Sequence, residues 1–244
     1  MSHAIAARDL AFTYHDGTAA LRGVSFEIAR GETVALVGPN GSGKTTLLLH
    51  LNGILRPAAG TLHVCGRSVG PAALPEIRSK VGVVFQHADD QLFMPTVFDD
   101  VAFGPLHMGL PPGEVRERVA RALEQVGLAG FEARAPHHLS GGEKKVAAIA
   151  TVLSMSPQIL VMDEPTGSLD HRSRRRLIGL LASLPQTLLI ATHDLGLVAE
   201  ICRRTIILDA GRVAADGPTA AILADAPLLA RHGLEPPAPP AART

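Results

Sequence analysis

A glycine-rich loop followed by lysine and threonine is the stretch of the sequence whose chemistry is most specific. It follows the pattern G-x-x-x-x-G-K-[ST] and consists of Gly38, Pro39, Asn40, Gly41, Ser42, Gly43, Lys44 and Thr45. Thr46 is the next residue. The glycines let successive backbone N–H groups turn inward around a phosphate. Lys44 would then reach the β- and γ-phosphates of a nucleotide, and the Thr45 hydroxyl would ligate magnesium. The loop therefore predicts a binding site for a nucleoside triphosphate. It does not show whether the protein is a kinase, a nucleotide-dependent switch, a molecular motor or a transport ATPase.

Residues that could hydrolyse a phosphate follow two other apolar runs. Asp163 and Glu164 come directly after residues 159–162, and His193 comes shortly after residues 187–191. Because successive side chains of a strand point to opposite sides, one carboxylate could hold magnesium through water while the other polarises the attacking water. The alternatives are a pair of surface acids and a structural histidine.

A second candidate phosphate site begins at Ser140. Ser140 as N-cap and Glu143 three residues later predict a capping box, which opens a helix through residue 155. A capping box does not explain the two glycines between Ser140 and Glu143. Nor does it explain Lys144 and Lys145, because cations in the first turn oppose the helix dipole unless an anion lies nearby. We therefore predict a second phosphate-binding helix start. One ATP hardly needs two phosphate-binding helix starts from the same chain, so the second helix start suggests a dimer.

Apolar runs that alternate with helical segments predict an α/β fold to position these residues. Buried strands are predicted at residues 33–37, 81–85, 159–162, 187–191 and 205–208. This alternation implies a mostly parallel sheet whose ligand lies beyond the carboxyl ends of its strands. Strands at 6–14, 21–28 and 60–66 predict a small N-terminal antiparallel layer beside it.

Between residues 87 and 156 the composition changes, with scattered prolines and an amphipathic helix at 114–126. We predict a helical subdomain inserted there into the α/β core. The ATP-binding domain is predicted to cover residues 1–225. A proline- and alanine-rich tail is predicted at 226–244.

The composition excludes some classes of function. Lys plus Arg and Asp plus Glu both number 23 in the 244 residues, which argues against broad electrostatic capture of nucleic acid. Two distant cysteines are typical of a reduced cytoplasmic protein. The N-terminus begins no signal peptide, and no apolar run is long enough to span a bilayer, so action at a membrane would require docking onto another subunit.

The order of the motifs resembles that of ATP-binding-cassette (ABC) ATPase subunits over residues 6–217. The resemblance is carried by the glycine-rich loop, Gln86 after a strand, residues 139–142, the Asp163 and Glu164 pair, residues 168–170 and His193. It implies two ATP-binding domains stacked head to tail. Each ATP would lie between one glycine-rich loop and the partner's signature segment, defined here as Ser140, Gly141, Gly142 and Glu143.

The same resemblance implies roles for single residues. Glu164 would be the general base, and His193 would sense the γ-phosphate. Gln86 would join Thr45 and Asp163 at magnesium. Asp170 would lie at the dimer interface, and Tyr14 would stack on adenine, although a lone tyrosine is more often a core residue. The sequence departs from the family at Glu143, Val146 and His171, where Gln, Arg and Pro are common.

Residues 52–57, 85–93 and 99–105 are similar to the ATPases of energy-coupling-factor (ECF) transporters, with the cobalt and nickel importers as the closest branch. This implies a homodimer, or a dimer with a close homologue, at the cytoplasmic face of the cell membrane. Its partners would be a transmembrane T component and a substrate-binding S component. Asp89 and Asp90 would bind arginines of a coupling helix, beside the apolar Leu92 and Phe93.

Several alternatives stay open. Asp89 and Asp90 could form a solvated acidic turn. The transported substrate could be a vitamin or another small molecule. A soluble ABC ATPase for DNA repair or translation would usually carry a coiled-coil insertion or a second cassette, and a small-molecule kinase would have no use for residues 139–142. His137 and His138 lack further metal ligands at suitable spacing.

Overall fold

The computed structural model describes residues 3–236 and contains two sheets flanked by helices. The strands are β1 (His3–Thr13), β2 (Ala19–Ala29), β3 (Thr33–Val37), β4 (Ala59–Val64), β5 (Arg67–Ser68), β6 (Val81–Val84), β7 (Ile159–Asp163), β8 (Thr187–Ala191), β9 (Arg204–Asp209) and β10 (Arg212–Pro218). The helices are α1 (Lys44–Leu51), α2 (Leu74–Lys80), α3 (Val97–His107), α4 (Pro112–Gln125), α5 (Gly141–Leu153), α6 (His171–Ser183), α7 (Leu195–Ile201), α8 (Thr219–Ala224) and α9 (Ala226–Arg231). Within residues 3–236, no helix is long and apolar enough to cross a membrane.

The large sheet has the order β10-β9-β3-β8-β7-β6, and the five strands from β9 to β6 are parallel. β10 pairs antiparallel with β9 at the edge. The smaller sheet is antiparallel, with the order β2-β1-β4-β5. The predicted α/β fold, with a mostly parallel sheet and an N-terminal antiparallel layer, is confirmed. The edge strand β10 was missed because its side chains are half-buried or exposed and form no apolar run.

The central strands are buried on both faces, so their alternating side chains supply two separate cores. Ala35 and Val37 of β3 join the core that holds the helices α3 to α7. Val34 and Leu36 join the other core, which lies between the two sheets and includes α1. This two-sided burial explains why the parallel strands read as continuous apolar runs in the sequence.

Between β6 and β7, helices α3, α4 and α5 pack against one another. The sequence prediction missed α3 because Pro105 lies inside it. A proline in a helix leaves the carbonyl four residues earlier without its N–H donor. Here the Ser154 hydroxyl donates to the Val101 carbonyl at 2.8 Å, which supplies the missing hydrogen bond from α5.

The prediction of a tail from residue 226 is wrong for its first residues. Residues 226–231 form α9, and the side chains of Leu229 and Leu234 are buried in the main core. His232 Nδ1 lies 2.7 Å from Asp209 Oδ2 at the end of β9. The domain therefore extends at least to Leu234, and the remainder of the predicted tail, residues 237–244, lies outside the described residues.

We expect Leu229→Ala to lower the free energy of unfolding by about 2–5 kcal/mol, because it leaves a cavity at a fully buried position. Leu228→Ala, in the same helix but only half-buried, is the matched control and should cost less than half as much. Urea unfolding followed by circular dichroism measures both values. Equal, small losses would contradict the packing of α9 into the core.

Candidate functional site

A cavity of about 680 Å³ opens at the carboxyl ends of β3, β7 and β8. It brings together most of the residues that the sequence singled out for nucleotide chemistry. They are Tyr14, the loop from Gly38 to Thr46, Gln86, Asp163, Glu164 and His193. These residues come from segments up to 179 positions apart; the parallel sheet places all of them at one edge except Tyr14, which follows β1 of the antiparallel sheet.

At two of its glycines, the glycine-rich loop lies so close to neighbouring backbone that a side chain is excluded. A Cβ on Gly38 would lie 2.0 Å from the Leu208 carbonyl oxygen, and one on Gly43 would lie 2.5 Å from the Ala20 carbonyl oxygen. Both glycines have positive φ angles, 153° and 104°, which other residues rarely adopt. The Ser42 hydroxyl is buried without a hydrogen-bond partner. An unpartnered donor inside a loop of this shape fits a bound phosphate.

Lys44 is the cation of this loop. Its ammonium donates to the Gly38 carbonyl at 2.8 Å and to the Pro39 carbonyl at 3.0 Å. Burial lowers the pKa of Lys44, while the charges of Glu164 and Asp163 act in the opposite direction. The loop thus holds its own cation at its centre, in a position to receive an anion.

Thr45 and Asp163 form a pair of oxygen ligands. The Thr45 hydroxyl donates to Asp163 Oδ2 at 2.5 Å. Burial raises the pKa of Asp163, and the hydrogen bond from Thr45 opposes that shift. A hydroxyl and a carboxylate in contact are the hard oxygen donors that Mg²⁺ prefers, so the residues present fit this ion.

Glu164 is oriented by hydrogen bonds from the end of β8. Its carboxylate accepts from the Thr192 hydroxyl at 2.9 Å and from the His193 backbone N–H at 3.1 Å. His193 Nδ1 lies 2.8 Å from the same carboxylate. The Glu164 side chain is only 11% exposed, whereas that of His193 is 71% exposed. A carboxylate fixed in this way can polarise a water, and the exposed face of His193 can meet a ligand.

Tyr14 lines the cavity and is 38% exposed, so it is not a core residue. Its hydroxyl lies 2.9 Å from the Thr46 hydroxyl. Phe12 packs edge-on against its ring at 4.9 Å. This leaves a ring face at the cavity that can stack on a base.

The signature segment does not line this cavity; it lies at the start of α5. Ser140 and Glu143 form the predicted capping box, with the Ser140 N–H donating to Glu143 at 2.8 Å. Both lysines have partners within the chain. Lys144 pairs with Asp89 at 2.6 Å, and Lys145 donates to backbone carbonyls. The lysines therefore do not by themselves require an external anion, contrary to the sequence argument.

Asp170 also has a local role. It is the N-cap of α6, where it accepts from the backbone N–H groups of Arg172 and Ser173 at 2.9 and 3.0 Å. The Ser173 hydroxyl donates to its other oxygen. These hydrogen bonds lower the pKa of Asp170. Its predicted place at a dimer interface stays a prediction.

A second, more apolar groove of about 900 Å³ lies between β6, α3 and α5. Phe93 and Phe103 line it, pack edge to face at 5.2 Å, and are 62% and 39% exposed. Asp90 also lines it. Leu92 was predicted to contribute to this surface, but that is wrong: it is 7% exposed and packs into the core beneath it.

Some residues that line the nucleotide cavity were missed by the sequence interpretation. Thr18, Ala19 and Ala20 come from the turn into β2, and Gly233 and Leu234 come from the C-terminal segment. The C-terminal pair has no recognisable motif, so no sequence signal could have found it. Thr192, which orients Glu164, follows a predicted strand but was given no role.

Comparison with known proteins gives the same family. Residues 21–167 match the family model described as "ABC transporter". A putative ABC transporter ATP-binding protein of Geobacter sulfurreducens, GSU1281, is 59% identical over 96% of this chain and 94% of its own length. The energy-coupling factor transporter ATP-binding protein EcfA of Methanothermobacter thermautotrophicus is 51% identical, over 93% of this chain and 75% of its own.

Two solved structures share the fold. CbiO1 of Clostridium perfringens, described as part of the ABC transporter complex cbiONQ, has a TM-score of 0.84 and 36% identity, covering 95% of this chain and 94% of its own. The ATP-binding cassette MJ0796, a dimer in a post-hydrolysis state with ADP and Pi, has a TM-score of 0.79 and 28% identity, covering 88% of this chain and 98% of its own.

We expect Glu164→Gln to bind ATP but to hydrolyse it roughly 10²–10⁴-fold more slowly, because an amide cannot accept a proton from water. Lys44→Ala should instead lose ATP affinity. Phosphate release and binding of a fluorescent ATP analogue measure the two properties separately. Glu200→Gln, an exposed carboxylate outside the cavity, is the control that keeps wild-type turnover. Brisk hydrolysis by Glu164→Gln would remove Glu164 as the base.

Proposed function

The chain belongs to the ABC transporter family as an ATP-binding subunit that hydrolyses ATP, and from this premise we propose that it energises an ECF-type importer for cobalt or nickel. The observation that carries the transporter assignment is the pair of neighbouring features on one domain. A nucleotide cavity lies at the strand ends, and a separate groove with exposed aromatic side chains lies beside it. An exposed apolar groove on the surface of a protein is typical of a site that binds another protein.

In the proposed reaction, the glycine-rich loop and Lys44 bind the phosphates, and the ring of Tyr14 stacks on the base. Thr45, Asp163 and Gln86 would hold magnesium, which when bound neutralises charge on the β- and γ-phosphates. Glu164, oriented by Thr192, polarises the attacking water. His193 stands beside Glu164 and contacts the γ-phosphate.

The active form is proposed to be a dimer. The signature segment does not line its own chain's cavity, and Ser140 and Gly141 are exposed, so its capped helix start is available to a nucleotide held by another subunit. The similarity to MJ0796, a cassette described as dimeric, supports this arrangement. ATP binding would close two such subunits head to tail, with Asp170 at the interface. Hydrolysis would reopen them.

The groove is proposed to receive a coupling helix of the membrane subunit. Six large apolar residues are exposed in the described part of the chain, and three of them, Phe93, Phe103 and Met108, line this groove on α3 or near its ends. Asp90 and Asp89, both exposed, supply negative charge at one end. An arginine of the helix would have to compete with Lys144 for Asp89. We therefore propose that the protein is a peripheral subunit at the cytoplasmic face of the membrane.

The choice of an ECF importer rests on the similarity to EcfA and to CbiO1. The choice of cobalt or nickel rests on the resemblance of residues 52–57, 85–93 and 99–105 to that branch. Substrate identity is tested by uptake of radiolabelled cobalt, nickel and vitamins into cells that express this chain with its native membrane partners. Metal uptake that disappears with Glu164→Gln would support the proposal. Uptake of vitamins alone would show that the proposed metal substrate is wrong. ATPase activity stimulated by DNA or RNA rather than by membrane subunits would show that the proposed transport function is wrong.

We expect Asp89→Ala with Asp90→Ala to weaken co-purification with the membrane subunits while ATP hydrolysis by the isolated protein stays within about twofold, since neither acid lines the nucleotide cavity. The matched control removes two exposed acids of α4, Glu117 and Glu124, and should leave the complex intact. An unchanged complex in the first variant would contradict docking through this acidic pair.

A further inference from the structure

Lys145 is a buried ammonium group that the proposed reaction does not use. The residue is 4% exposed, and its Nζ forms no ion pair among the residues described. It donates only to backbone carbonyls, that of Gln86 at 2.7 Å and that of Phe85 at 3.3 Å. Burial of a charge without a carboxylate in contact is unfavourable. The neighbouring Lys144, in contrast, makes an ordinary surface ion pair.

These hydrogen bonds attach the end of β6 to α5. A second side chain reinforces the attachment: Gln91 Oε1 accepts from the Phe85 backbone N–H at 3.2 Å. The amide of Gln91 then donates to the Ala148 carbonyl at 2.8 Å and to the Thr151 hydroxyl at 2.7 Å. Both α5 contacts lie on the helix that carries Lys145, so the Phe85–Gln86 backbone and α5 form one hydrogen-bonded unit.

The two ends of this unit face different ligands. Gln86 lines the nucleotide cavity of its own chain. The first turn of α5 is the signature segment, which lies outside that cavity and, in the proposed dimer, meets the ATP of the other subunit. Lys145 is one turn further along the same helix.

Charge connects the unit to the catalytic edge as well. Burial lowers the pKa of Lys145, and the carboxylates of Asp163 and Glu164 oppose that shift. Their negative charges therefore favour the protonated form of Lys145.

We propose that Lys145 is a positioning residue that couples the two ATP sites of the dimer, by holding Gln86 at one ATP and the signature segment at the other. The inference rests on the proposed dimeric ATPase. It assigns to Lys145 no contact with nucleotide. Its loss should therefore leave ATP binding by one subunit intact and impair the cooperation between two.

The test compares Lys145→Met, which keeps the length of the side chain without its charge, with Lys144→Met as the matched control. We expect ATP affinity of the dilute monomer to stay within about twofold of wild type. ATP-driven dimerisation, measured by light scattering in the Glu164→Gln background, should weaken about tenfold or more, and the Hill coefficient for ATP hydrolysis should fall to about 1. Lys144→Met should match wild type in all three measurements, and Lys145→Arg should restore coupling.

The outcomes separate this inference from the proposed function. If Glu164→Gln alone does not dimerise with ATP, the dimeric ATPase is wrong. If it dimerises, and Lys145→Met changes neither the dimerisation of that variant nor the Hill coefficient of the protein with Glu164 intact, the coupling role is wrong. Should Lys145→Met fail to fold by circular dichroism, Lys145→Leu replaces it under the same criteria, because it also removes the hydrogen bonds to the Phe85 and Gln86 carbonyls.

Discussion

Backbone pairing of β3, β8 and β7 is the constraint on which the site depends. Ala191 at the end of β8 pairs with Leu36 on one side and with Asp163 on the other. Beyond the strands, the Thr192 N–H donates to the Leu36 carbonyl and the Glu164 N–H donates to the Ala191 carbonyl. These hydrogen bonds fix the glycine-rich loop, the acidic pair and the Thr192–His193 segment side by side. A shift of register by one residue would turn Asp163 and Glu164 to the wrong faces.

The same edge concentrates charge in a partly buried place. Lys44 and Lys145 are buried cations, and Asp163 is a buried carboxylate next to Glu164. Each is stabilised by neutral dipoles as well as by opposite charge: Lys44 and Lys145 by backbone carbonyls, and Asp163 by the Thr45 hydroxyl. Of these groups, Lys44, Asp163 and Thr45 line the cavity and are poised to exchange internal partners for the phosphates and cation of a ligand.

Prediction from sequence succeeded where a local pattern has a single physical meaning. A strand buried on both faces, a helix capped by Ser140 and a loop whose glycines contact backbone can each be read within a few residues. Prediction failed where contacts between distant segments determine which side chains are buried and which helices form. The turn that contains Leu92 and Phe93 gave no reason to bury the first side chain and expose the second. Helix α3 escaped detection because Ser154, distant in sequence, compensates for Pro105.

The sequence by itself determined the parallel α/β sheet, the phosphate-binding loop and the identity of the acids at the strand ends, because these depend on residue type and short spacing. Only the tertiary structure decided which residues share the cavity, that α9 closes the domain, and that both lysines of α5 have internal partners. Those facts depend on contacts between segments far apart in the chain. A local sequence pattern cannot predict such contacts, because the free energy of packing depends on both surfaces that meet and not on either surface alone.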